Sequence, residues 1–155
     1  MALSLVLYQP DIAQNTATLL RTGACLNVAV HVILPAGFVL SDRNFRRAGM
    51  DYLDRATLVQ HADWAAFQDY CRGYKSRIVL LSTKAATRYT DFSFRDDDML
   101  MLGRESAGVP DDVHAAATAR IVIPMHNGAR SLNVAVSGAM VLGEALRQVG
   151  SQNIS

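Results

Sequence analysis

At 155 residues, 50% hydrophobic and 19% charged, the chain has the length and composition of one globular domain, not of a disordered tail. Fifteen Lys and Arg offset 14 Asp and Glu to a formal charge of +1, which excludes a histone-like polycation; a nucleic acid would have to be met by a local basic patch. No apolar run approaches the ~20 residues of a membrane span, and no basic stretch followed by an apolar run opens the chain, so a cytoplasmic protein with no membrane partner is expected.

In chain order, Leu3–Tyr8 is a short apolar run that reads as a buried strand. A helix is predicted over Asn15–Leu26, with Asn15 as its cap and Leu19, Leu20, Gly23 and Leu26 on one side. Arg21 falls inside that helix among apolar neighbours, so it must either reach solvent or face a site that wants a cation. Cys25, in the same helix, and Cys71 form no disulfide framework or metal motif and are expected to be buried thiols. Val28–Leu34 reads as the second strand. Ser41 or Asp42 can cap a short helix that stops at Gly49. Its Arg43, Arg46 and Arg47 have spacings of three and four, so they can share a face towards RNA phosphates, although Asp42, Asp51 and Asp54 make a solvated helix an equal reading.

Asp63 can cap a helix carrying Trp64, Phe67 and Tyr70. Strands are predicted over Arg77–Leu81, Met99–Leu102 and Arg120–Ile123. Asp111 or Asp112, after Pro110, can open a further helix, and Ser131–Val149 reads as the last helix, capped by Ser131 and ended by Gly150. This alternation predicts an α/β domain over residues 1–150, a mostly parallel sheet flanked by helices, followed by a flexible tail at 151–155.

Several chemistries have no support. The glycines never fall as G-x-G-x-x-G, Val109 stands where a phosphate-binding loop after Gly103 and Gly108 would need Lys, and Arg104 spoils a nucleophile elbow at Ser106. His31, His61, His114 and His126 are scattered without ligand spacing, so no metal is expected and each reads as a surface or packing residue.

Ligands of open α/β sheets bind at the carboxyl ends of strands. Three loops there carry informative residues. The first runs from Gln9 through Asn15 to Arg21. The second, Leu102-Gly103-Arg104-Glu105-Ser106-Ala107-Gly108-Val109-Pro110, places two glycines where backbone can approach a ligand. The third, Ile123-Pro124-Met125 to Ser131-Leu132-Asn133-Val134, runs into a helix start, where unpaired backbone N–H groups gather. Small residues Ala135, Ser137, Gly138 and Ala139 follow, which suggests close packing by backbone or by a partner subunit.

Together and in this order, Asn15…Arg21, Leu102-Gly103-x-Glu105-x-x-Gly108-Val109 and Ile123-Pro124-Met125…Ser131-Leu132-Asn133-Val134 resemble the three motifs of the SPOUT superfamily of methyltransferases, SpoU/TrmH branch. Leu5-Val6-Leu7-Tyr8-Gln9-Pro10 and Arg46-Arg47-Ala48-Gly49-Met50-Asp51-Tyr52 are similar to its short, single-domain TrmL-type subgroup. The resemblance implies a C-terminal deep trefoil knot, which ordinary topology rules disfavour. It implies a homodimer and S-adenosylmethionine as cofactor, held by Leu81, Gly103, Glu105, Gly108, Ile123, Met125, Ser131 and Leu132. It implies 2′-O-methylation of the ribose of wobble nucleotide 34, cytidine or uridine, in leucine tRNAs, with Arg21, Asn15 and Asn133 as catalytic residues. Another tRNA or ribosomal RNA position, or a non-catalytic RNA-binding relative, are the alternatives. Two departures stand out: Gly143-Glu144 where many relatives have Tyr-Glu, and Arg104 where the subgroup often has Pro.

Overall fold

A computed structural model describes residues 2–41 and 56–150. The elements are β1 (Ser4–Tyr8), α1 (Ala13–Leu26), β2 (Ala29–Ile33), β3 (Leu58–His61), α2 (Trp64–Tyr74), β4 (Ile78–Leu81), a 3-10 turn at Tyr89–Asp91, β5 (Met99–Leu102), α3 (Asp111–Ala116), β6 (Ala119–Ile121) and α4 (Val134–Val149). The six strands form one sheet in the order β3-β2-β1-β5-β4-β6, every neighbouring pair parallel. The chain builds outward from β1 through β2 to β3, then crosses to the other side for β4, β5 and β6. β1 and β5 therefore meet where the direction of winding reverses, and the crevice above their carboxyl ends is the place for a ligand. The register brings Leu7, Leu102, Leu81 and Ile121 into one row at that end.

The strands read as continuous apolar runs because both faces are covered. Leu3, Leu5, Leu7, Leu100 and Leu102 point to the face where α1 and α4 supply Leu19, Leu20, Val141 and Leu142. Val6, Tyr8, Met99 and Met101 point to the other, against Phe67 and Cys71 of α2 and Val113 of α3. Burying each large aliphatic side chain contributes about 1.5–3 kcal/mol. The small residues of α4 divide between two environments. A Cβ on Gly138 would come within 2.8 Å of Leu102 and 2.9 Å of Leu19, so this glycine lets α4 settle on β5 and α1, whereas Gly143 faces open space.

Several element boundaries differ from those the sequence predicts. α1 begins at Ala13 after Ile12, which makes no side-chain cap, and Asn15 lies within its first turn. α4 begins at Val134, capped by Asn133 and not Ser131; the Asn133 carboxamide oxygen accepts from Ala135 N at 2.8 Å and Val136 N at 3.2 Å. Pro110 precedes α3, so Asp111 and Asp112 occupy its first turn and do not cap it. Asp63 does cap α2, accepting from Ala66 N at 2.8 Å. β3 was not anticipated: Leu-Val-Gln-His is short, and two polar residues hide its strand pattern at the sheet edge. β6 ends at Ile121, and Val122 continues only as a bridge to Arg88. Cys71 is buried, but Cys25 is exposed because it faces away from the sheet. The helix expected over 42–49, with Arg43, Arg46 and Arg47, lies outside the described residues, as does the tail at 151–155.

Candidate active site

Above the carboxyl ends of β4, β5 and β6 the chain leaves a cavity of about 300 Å³. The loop after β5 closes on itself: Arg104 N donates to Gly108 O at 3.0 Å, and Gly108 N to Arg104 O at 2.8 Å. A Cβ on Gly103 would lie 2.7 Å from Gly108 backbone, and Gly108 has φ +67°, so the residue types at both ends of this loop are dictated by geometry. The segment following β6 and the residues before α4 form the opposite wall. All eight residues assigned from sequence to the cofactor, Leu81, Gly103, Glu105, Gly108, Ile123, Met125, Ser131 and Leu132, line this cavity. Sequence reasoning missed Ser82, Thr83, Lys84 and His114, which line it too. The first three follow β4, where the strand-end rule pointed, but they carry no glycine or charge pattern to mark them.

A hydrogen-bonded chain ties the first loop to the other two. Asn133 Nδ2 donates to Asn15 Oδ1 at 3.1 Å, and Asn15 Nδ2 donates to Glu105 Oε1 at 3.4 Å. The other Glu105 oxygen accepts from Asp11 N at 2.8 Å. Ser106 Oγ donates to Asp11 Oδ2, and Arg104 Nε stands 3.5 Å from that same oxygen. Burial and the neighbouring Asp11 carboxyl push the Glu105 carboxyl up, while hydrogen bonding to Glu105 and Ser106 pulls Asp11 down. The Asp11 carboxyl lies beside the Arg104 guanidinium, which lowers it further. Asn15, read from sequence as a helix cap, is instead a buried crosslink among three loops.

Arg21 sits on the exposed side of α1 and does not line the cavity of its own chain. Leu132, Val136 and Met140 make an exposed apolar stripe running from the cavity rim along α4. Among the described residues, no helix is long and apolar enough to cross a membrane, and no group of three or more His, Cys, Asp or Glu could hold a metal ion.

Residues 2–143 match the model of the SpoU rRNA Methylase family. The chain belongs to this family. It is 62% identical over 147 residues to a tRNA (cytidine(34)-2'-O)-methyltransferase of Beijerinckia indica subsp. indica, covering 95% of this chain and 92% of that protein. It is 57% identical over 150 residues to the protein of the same name from Ancylobacter novellus, covering 97% and 95%. A solved chain studied for the 2-OH methylation of C/U34 on tRNA superimposes with a TM-score of 0.88 at 40% identity, over 94% of this chain and 95% of that one. The SpoU match spans all three motif loops, of which the second and third wall the cavity and the first is hydrogen-bonded to them through Asn15.

Proposed function

We propose that this SpoU methylase transfers a methyl group to the ribose 2′-hydroxyl of nucleotide 34 of tRNA, with S-adenosylmethionine as donor. The observation that carries the reading is the 57–62% identity, over nearly the full length, to relatives named for that reaction, in a chain whose second and third motif loops wall one cavity. The cavity fits the donor. Its volume suits a small ligand, and Leu81, Ile123 and Leu132 offer apolar faces for the adenosine. Ser131, freed from capping, presents a hydroxyl there. Bound in this cavity, the donor supplies a sulfonium methyl for in-line transfer.

The chain's own work is to position the ribose and to stabilise charge on its oxygen. A guanidinium keeps its charge at working pH, so Arg21 acts as a fixed cation beside the developing alkoxide and not as a base. Asn15 and Asn133 hold the three loops in place. Because Arg21 lies outside its own chain's cavity, we assign it to the site formed with a second copy, with the apolar stripe of Leu132, Val136 and Met140 as the homodimer contact. The return of α4 onto α1 and β5 after two loops that share one cavity is the arrangement a trefoil knot would give, and we read the chain as knotted on that support. Leucine tRNAs in the cytoplasm are the proposed setting, and Arg43, Arg46 and Arg47 the proposed phosphate contacts.

The test uses purified protein, labelled S-adenosylmethionine and total tRNA, followed by mapping of the methylated nucleotide. Label at ribose 34 of leucine tRNAs is expected; label elsewhere overturns the target. Arg21→Ala should lower transfer by about 100-fold or more while cofactor affinity stays within about twofold. A fully active Arg21→Ala protein removes Arg21 from the mechanism.

A further inference from the structure

Three cations line the cavity: Lys84, Arg104 and Arg130. Lys84 and Arg130 are exposed, and holding either long side chain in one pose would cost side-chain entropy. Arg104 is different. Its side chain is only 32% exposed, and it is anchored beside Asp11, whose Oδ2 lies 3.5 Å from Arg104 Nε. The anchor is incomplete: Arg104 Nε is buried and makes no hydrogen bond, and Asp11 Oδ1 is likewise buried and unpartnered. Among the described residues no hydrogen bond engages the terminal guanidinium nitrogens either. A guanidinium held in place by charge, on a cavity wall, with its donor fork unused, is preorganised for a planar anion.

S-adenosylmethionine carries one anionic group, the carboxylate of its amino-acid end. Glu105 does not compete for the Arg104 fork, since it is occupied by Asp11 N and Asn15. We propose that Arg104 binds that carboxylate through its guanidinium, with Asp11 as the positioning residue that holds the fork against the cavity wall. The proposal rests on the cavity being the cofactor site.

The experiment measures binding by calorimetry for wild type, Arg104→Gln and Arg104→Lys, using two probes. S-adenosylhomocysteine keeps the amino-acid end; 5′-methylthioadenosine has the same adenosine and a thioether but lacks it. Arg104→Gln should weaken S-adenosylhomocysteine about tenfold and leave 5′-methylthioadenosine unchanged. Arg104→Lys, which keeps the charge but loses the fork, should fall between. Equal weakening of both probes makes Arg104 a loop brace and overturns the proposal, as does no weakening of either. Weaker tRNA binding with unchanged S-adenosylhomocysteine overturns it in favour of a phosphate contact. Failure of wild type to bind S-adenosylhomocysteine overturns the cofactor reading itself, a result distinct from the others. Thermal melts confirm that each variant folds, and Arg104→Lys carries the test if Arg104→Gln does not.

Discussion

Two aspartate–arginine pairs stand at opposite ends of the sheet and are built to different standards. At the amino ends, Arg77 before β4 grips Asp98 before β5 with two hydrogen bonds of 2.7 Å. The same Asp98 accepts from Arg95 N at 2.8 Å, Arg77 also donates to Ser93 O at 3.1 Å, and the guanidinium carbon lies 5.1 Å from the centre of the Phe92 ring. The hydrogen bond to Asp98 raises the Arg77 pKa further, and both Asp98 carboxylate oxygens are engaged. At the carboxyl ends, Arg104 and Asp11 touch at one long contact, and each keeps a buried polar atom without a partner. A saturated pair fixes the backbone and has no capacity for a ligand. An unsaturated pair contributes less to folding, because its remaining capacity is reserved for something that arrives later.

The largest expected effect tests the saturated end. Asp98 is fully buried, and its backbone oxygen also accepts from Ser4 N at 3.1 Å, which ties β1 to β5. Asp98→Ala leaves the Arg77 charge without its partner and should cost about 3–5 kcal/mol of stability by urea unfolding. A loss below about 1 kcal/mol, the range of exposed pairs, would show that the two ends do not differ as described.

How much of this was legible in the sequence follows from the range of each interaction. The inner strands were readable because burial on both faces turns them into short apolar runs, and the loop after β5 because Gly103 and Gly108 answer to local backbone geometry. The cap assignments failed at Asn15 and Ser131 for one reason. Local rules see Asn and Ser as caps, but Asn15 is claimed by Glu105 and Asn133, 90 and 118 residues away, while Asn133 takes the cap of α4 and leaves Ser131 on the cavity wall. The contact of Asp11 with the loop after β5 spans 94 residues and has no local trace. The motif resemblance brought the site together because it is a pattern over the whole chain; composition and periodicity alone identified three separate loops.

A third polar pair lies between these extremes. His31 of β2 and His61 of β3 share a 2.9 Å contact between Nδ1 and Nε2, stacked with ring centres 5.2 Å apart and enclosed by Phe67 and Tyr70. Burial, helped by His61, pushes His31 down to about 4, and burial also lowers His61. Both folded values lie below the ordinary histidine value, so as pH falls the unfolded chain takes up protons first. Stability is therefore full above about pH 6.5 and is lost as pH falls towards 4, by at most ~1.4 kcal/mol per pH unit for each histidine. Urea midpoints at pH 7.5, 6 and 5 read this above most of the carboxylate range. A flat profile would mean that the rings titrate alike folded and unfolded, and that the pair is not sealed as the packing indicates.

The smallest effect on folding is expected at Asp11, where the comparison is most exposed to failure. Asp11→Ala keeps the backbone N–H that Glu105 uses, so the crosslink through Asn15 to Asn133 survives. What it removes is the acceptor of Ser106 and the anchor of Arg104. The melting temperature should change little, while S-adenosylhomocysteine binds several-fold more weakly, about half of the tenfold loss expected for Arg104→Gln on a logarithmic scale. 5′-Methylthioadenosine, with no carboxylate to report on the fork, should bind as before. If Asp11→Ala instead unfolds the protein as readily as Asp98→Ala, the carboxyl-end pair is a brace of the same kind as its counterpart. Its unused donors would then be a by-product of packing and would have no role in binding.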